Sequence, residues 1–228
     1  MNYERVLVFG AHPDDEMTMA ATMARMVSEG TEVYVCIMTD GCEGYPKPEW
    51  KDEIVAMRKQ EQADCDEVLG TTRRYNLDFP DGGLVDDKET LLEAVRVIRE
   101  VRPDAMFTHG PHDKHRDHRR THAVTVEAYF QAGQPVMSDQ GPPYRPKHLY
   151  YYKAVRDERP TIEVDCTGFA HVPLEVRGTQ VSQHILWGRT KEDLLREAEE
   201  LRDARPPYVE RFWLAEKCVL HGFLPRGL

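Results

Sequence analysis

The sequence predicts an α/β protein with a mostly parallel sheet flanked by helices. Three observations lead there. Short apolar runs, RVLVFG at 5–10 and EVYVCIM at 32–38, alternate with helical stretches of 12–19 residues. The first two helical stretches stop at glycines, Gly30 and Gly70. Histidines and aspartates follow the apolar runs at once, where open α/β sheets bind ligands.

Taken in order, residues 5–10 form a strand that runs into AHPDDE, and 16–29 form a helix. Residues 32–38 are a second strand, followed by the turn-rich loop TDGCEGYPKP. Residues 51–69 are helical, with a broken stripe of Ile54, Met57, Glu61, Cys65, Val68 and Leu69. A weak strand at 73–79 ends in the turn PDGG. The helix 88–101 carries Leu91, Leu92, Val95, Ile98 and Val101 on one face. A strand at 104–108 leads into HGPHDKHRDH and a helix at 119–131. Residues 133–147 read as irregular, 148–154 and 161–165 as strands, and the rest as mainly helical. No repeat interrupts this pattern, and residues 1–228 read as a single domain.

A net charge of −10 argues against nucleic acid or an anionic membrane as partner. Five cysteines with no CxxC fit neither a disulfide framework nor a cysteine-rich zinc site. The N-terminus MNYERVLVFG lacks a signal-peptide pattern, and no run of about 20 apolar residues occurs. The expectation is a cytoplasmic protein without membrane insertion, with a homo-oligomer left open.

The chemistry sits at the strand ends. His12 and Asp15 are three apart at a strand-to-helix turn, so an imidazole and a carboxylate can aim at one point, with Asp14 beside it. Four of the chain's ten histidines fall within 112–122, in HDKHRDHRRTH. There His118 is the third candidate ligand, His115 a proton donor or electrostatic partner, and Asp117 its orienter. Two histidines and one carboxylate with open positions make a catalytic zinc set. Such an ion acidifies water and polarises a carbonyl. A nearby carboxylate, Asp14, takes the proton, and a histidine serves the leaving amine. The same ligand types make the iron triad of oxygenases, but Asp14 and the His115–Asp117 pair favour hydrolysis. A nucleotide-binding module is disfavoured, because two acidic residues at the first helix start would repel a pyrophosphate.

AHPDDE after the first strand, TDG at 39–41 and HxDH at 115–118 resemble the LmbE/PIG-L family of de-N-acetylases. Arg58-Lys59-Gln60-Glu61 before Val68-Leu69-Gly70, Phe79-Pro80-Asp81-Gly82-Gly83-Leu84 and Ser182-Gln183 also resemble family stretches, over about residues 5–185. The resemblance implies a Rossmann-like three-layer sandwich and a Zn2+ held by His12, Asp15 and His118. It implies Asp14 as general base and His115, oriented by Asp117, as acid or oxyanion stabiliser. The implied substrate is an N-acetylglucosamine-type amino sugar or its conjugate. An amidase on another conjugate, or a metal- and sugar-binding protein without turnover, are the alternatives. Some relatives carry a carbonyl-polarising tyrosine before HxDH; here that stretch reads His109-Gly110-Pro111-His112-Asp113-Lys114.

Four further expectations are weaker. Arg58 binds substrate, or pairs with Glu61 on a helix surface. Asp40 accepts from a ligand imidazole, or forms a turn. His122 supports the site or lies on the surface. Tyr150-Tyr151-Tyr152 and Trp187 stack on a sugar or pack in the core.

Overall fold

The structure, a computed structural model, describes residues 3–152 and 159–215. One seven-stranded sheet runs through it in the order β3-β2-β1-β4-β5-β7-β6. The strands are β1 (Arg5–Gly10), β2 (Glu32–Thr39), β3 (Arg73–Phe79), β4 (Ala105–His109), β5 (His148–Tyr152), β6 (Ile162–Asp165) and β7 (Val209–Leu214). The first five are parallel, and β7 joins antiparallel between β5 and β6.

Seven helices accompany them among the described residues. They are α1 (Ala20–Ser28), α2 (Ile54–Leu69), α3 (Lys88–Val101), α4 (Arg116–Gln131), α5 (Val172–Thr179), α6 (His184–Trp187) and α7 (Lys191–Ala204). Alternation along β1 sorts the layers. Leu7 and Phe9 pack with α3 and α4 on one face, whereas Val6 and Val8 pack with α1, α2 and α5 on the other. This is the three-layer α/β sandwich that the sequence implied.

Local rules account for most boundaries. Asp87 caps α3 through the backbone N–H groups of Glu89 and Thr90 in a reciprocal box with Thr90. Gly70 closes α2 at φ +70°. The helix expected at 16–29 begins instead as a 3-10 turn, Asp15–Met19, before α1. The helix expected at 119–131 starts three residues earlier, at Arg116, because the His115 side chain accepts from the Asp117 N–H and caps it. The strand expected at 148–154 is seen to Tyr152, and its last two residues lie outside the described residues.

The C-terminal region was expected to be mainly helical, yet it contains β7. In VERFWL the charged Glu210 faces inward and breaks the alternation that marks a strand. Its buried carboxylate accepts from the N–H groups of Ala21 and Thr22 and so caps α1 from across the fold.

Arg99 organises the irregular stretch 133–147 expected from the sequence. It is 3% exposed. Its guanidinium donates to the carbonyls of Gln131, Ala132, Gln134, Val136, Met137 and Gly141. Arg99→Met is expected to cost about 3 kcal/mol or more, since several buried carbonyls lose a charged donor together. Urea denaturation of the two proteins measures it.

Candidate functional site

The carboxyl ends of β1, β2, β3 and β4 converge where the strand order reverses between β1 and β4, the place where open α/β sheets bind ligands. β1 hands the chain to a tight turn in which the N–H groups of Asp14 and Asp15 donate to the His12 carbonyl at 2.8 and 3.2 Å. Gly10 is needed at this strand end. A Cβ there would lie 2.9 Å from Ile37 Cδ1 and 3.1 Å from Asp15 Cβ.

The turn brings His12 and Asp15 together, and α4 adds His118. His12 Nδ1 lies 3.2 Å from His118 Nε2. His118 Nε2 lies 3.2 Å from Asp15 Oδ1, and His12 Nδ1 lies 3.5 Å from Asp15 Oδ2. Ligand atoms about 2.0–2.2 Å from one ion stand roughly 3.3 Å apart in a tetrahedral set, so the two 3.2 Å separations, with Oδ1 as the Asp15 ligand atom, fit a single cation. Three overlapping donor groups lie here within 4.8 Å: His12, His115 and His118; Asp15, His109 and His118; and His12, Asp81 and Asp117.

The outer nitrogens support the same fit. His12 Nε2 is 3.1 Å from Asp81 Oδ1 and 3.5 Å from Asp117 Oδ2. His118 Nδ1 is 3.0 Å from Asp113 Oδ2. Carboxylates there draw the ring protons outward, which leaves inner lone pairs facing each other and Asp15. Only a cation, a metal or a proton, makes that arrangement favourable.

Without a metal, protons take that role. Burial lowers the His12 imidazolium, but Asp117, Asp15 and Asp81 together push it from 6.5 up to about 12. Burial also opposes charge on His118, which Asp15 and Asp113 nonetheless raise. Burial raises the Asp15 carboxyl, but His109, His118 and His12 hold it well below its ordinary 3.8. Because His12 is raised, its stabilisation of the metal-free chain is complete below about pH 6.5 and is lost as pH climbs towards 12. A metal entering at pH 7 must therefore displace at least about one proton per chain. Titration calorimetry in buffers of different ionisation enthalpy counts it.

Asp14 lies in the same turn, between His12 and Asp15. Its Oδ2 lies 2.9 Å from Nη2 of Arg58, whose side chain is 3% exposed. Arg58 is thus neither on a helix surface nor paired with Glu61; it is buried behind Asp14. Gly41 and Gly44 leave room for it: a Cβ at Gly44 would sit 2.9 Å from Arg58 Nη1. Glu61 instead accepts from the Ser182 N–H and hydroxyl, and Gln183 donates to the Gly44 carbonyl at 2.8 Å. The Arg-x-x-Glu and Ser-Gln stretches, far apart in sequence, brace the same loop.

His115 stands over the centre, its ring centroid 4.5 Å from that of His12 and 4.8 Å from that of His118. Burial, then the charges of His12 and His118, lower its pKa. The orienting role expected of Asp117 is corrected in its atoms. The Asp117 carboxylate faces His12 and accepts from the Gly82 N–H at 2.6 Å. Its backbone N–H, not its carboxylate, donates to His115 Nδ1 at 3.2 Å. Helix capping fixes that geometry, and it leaves the His115 proton on Nε2.

Asp40 turns out to form a turn: Oδ1 accepts from the N–H groups of Cys42 and Asp81 and so places Asp81 against His12. His122 Nδ1 donates to the His109 carbonyl at 2.9 Å and does not reach the cluster. Tyr150, Tyr151 and Tyr152 are buried, and the Tyr152 hydroxyl donates to the Phe9 carbonyl. Three residues had no role assigned from sequence: Asp81, which the turn motif contained, Asp113, which meets His118 Nδ1, and His109, the last residue of β4.

The fold and the donor cluster define an α/β protein with a His/Asp centre at its topological switch point. A family model described as PIG-L, GlcNAc-PI de-N-acetylase, matches residues 7–129, more than half of the chain, and the chain belongs to this family. It is 32% identical over 176 residues to the mycothiol S-conjugate amidase of Streptomyces coelicolor, covering 64% of this chain and 60% of that protein. It is 31% identical over 137 residues to the diacetylchitobiose deacetylase of Thermococcus kodakarensis, covering 58% and 51%. It is 31% identical over 209 residues to a 1D-myo-inositol 2-acetamido-2-deoxy-alpha-D-glucopyranoside deacetylase of Streptomyces avermitilis, covering 78% and 69%. The matches thus span only 51–60% of the length of the first two relatives. In fold, the N,N'-diacetylchitobiose deacetylase of Pyrococcus horikoshii superposes with a TM-score of 0.82 at 24% identity, covering 99% of this chain and 88% of that one. No helix among the described residues is long and apolar enough to cross a membrane.

Proposed function

We propose that this protein is a metal-dependent hydrolase that removes the acetyl group from an N-acetylglucosamine-type amino sugar or its conjugate. The observation that carries the reading is the approach of His118 Nε2 to 3.2 Å from both His12 Nδ1 and Asp15 Oδ1, with Asp14 in the same turn as His12 and Asp15. These three residues hold the ion, which we take to be Zn2+. When bound, it supplies Lewis acidity towards water and an acyl oxygen.

The chain's own residues do the rest. Asp14 removes the proton from the attacking water, and Arg58 fixes its carboxylate by the 2.9 Å ion pair. The His115 Nε2–H faces the centre as a neutral donor and stabilises charge developing on the acyl oxygen. We therefore read His115 as stabiliser rather than acid, and the proton gathered by Asp14 is then available to the departing amine. Arg58, buried behind Asp14, acts through that carboxylate.

Deacetylase relatives acting on amino-sugar derivatives support the substrate class. Similarity to an amidase acting on a thiol conjugate favours a second reading, cleavage of a larger acyl group by the same machinery. The test is a panel of N-acetylated amino sugars and thiol conjugates offered to the metal-loaded protein. Acetate and free amine are read by NMR. Acetate from the amino sugars is the expected result. No amide cleavage, with an ester or phosphodiester hydrolysed instead, overturns the reading.

A further inference from the structure

His109 has no place in the mechanism above, yet it touches two of the three proposed ligands. It is 1% exposed at the end of β4, the strand paired to β1. Its Nε2 lies 3.1 Å from Asp15 Oδ2. Its ring stacks on that of His118, with centroids 4.0 Å apart and planes 16° from parallel.

The donors on Asp15 are unevenly shared. Oδ2 receives the N–H of His12 at 2.7 Å and that of Ala11 at 2.9 Å, and His109 Nε2 approaches as a third partner. Oδ1 faces His118 Nε2. The proton position on His109 follows from its surroundings. The Ala11 N–H is 2.9 Å from Asp15 Oδ2 but 3.2 Å from His109 Nε2, so the carboxylate is its nearer acceptor. His109 Nδ1 is buried without a hydrogen-bond partner. A proton there would be an unsatisfied donor while a bare Nε2 faced a carboxylate. The proton on Nε2 avoids both costs.

We infer, resting on the metal reading above, that His109 is a positioning residue. It saturates Asp15 Oδ2 so that this carboxylate meets the ion through Oδ1 alone. Outer partners of this kind are commonly worth about 10- to 100-fold in metal affinity.

Three variants separate donor from ring. His109→Gln puts an amide N–H near the position of Nε2, whereas His109→Asn puts one near Nδ1, too short to reach Asp15. His109→Phe keeps the stacked ring and loses the donor. Zinc affinity is measured by chelator competition, and the visible spectrum of the cobalt-substituted protein reports coordination number. Affinity in the Phe and Asn variants is expected to fall about 10-fold or more, with an altered cobalt spectrum as Asp15 turns its second oxygen to the ion. The Gln variant should stay within about 3-fold of the parent, with the parent spectrum. Should the Phe variant fail to fold, the Gln and Asn pair carries the comparison alone. Parent-like affinity and spectrum in the Asn and Phe variants overturn the inference, as does equal weakening in all three. A parent protein that binds no metal overturns the metal reading itself, and this inference with it.

Discussion

Asp14→Asn is expected to keep its metal and lose about 10²- to 10⁴-fold in kcat, the usual contribution of a positioned general base. Asp14 precedes Asp15 in the same turn and holds its Oδ2 2.9 Å from Arg58 Nη2. Asparagine retains an oxygen for that guanidinium but not its negative charge. Stability should therefore fall by about 1–3 kcal/mol, which must be measured separately from turnover. Elemental analysis and steady-state kinetics on the same preparation decide the matter. A variant that loses metal would exchange the roles of Asp14 and Asp15, and one with parent kcat would assign the base elsewhere.

His118→Ala is expected to lower zinc affinity by more than about 100-fold, exceeding what loss of an outer partner costs. Its Nε2 lies 3.2 Å from both His12 Nδ1 and Asp15 Oδ1. The lost imidazole also leaves Asp113 Oδ2 without its 3.0 Å partner. Removing that carboxylate alone, in Asp113→Asn, should cost less. Unchanged metal content in His118→Ala would point to the His115 or His109 donors as the true set.

The parallel core was legible because its strands are short apolar runs and its helices end on glycines or caps. The candidate donors were legible because AHPDDE and HRDH are dense in polar residues directly after such runs. What escaped depended on spatial neighbours. His109 reads as the first of the polar residues after a strand at 104–108, and only the pairing of β4 with β1 brings it against Asp15. Asp81 reads as turn chemistry, and it meets His12 only because Asp40 anchors its backbone. Arg58 lies on a helix with a weak apolar stripe, which gave no sign that glycines 41 and 44 open a slot for it. β7 was hidden by one inward glutamate.

That glutamate ties late residues to early ones. Glu210 caps the helix that follows the His12–Asp15 turn, and 188 residues separate it from Thr22. During synthesis on a ribosome, the whole proposed ligand set has been made once His118 is added. The strand that seats α1 and completes the sheet beyond β5 arrives only at 209–214. The nascent chain must therefore hold β5 with an unpaired edge for the time it takes to translate some 60 further residues, about 3–12 s at ordinary elongation rates. Exposed edges of this kind recruit other strands, so yield on expression should depend more on chaperone supply than on the stability of the finished fold.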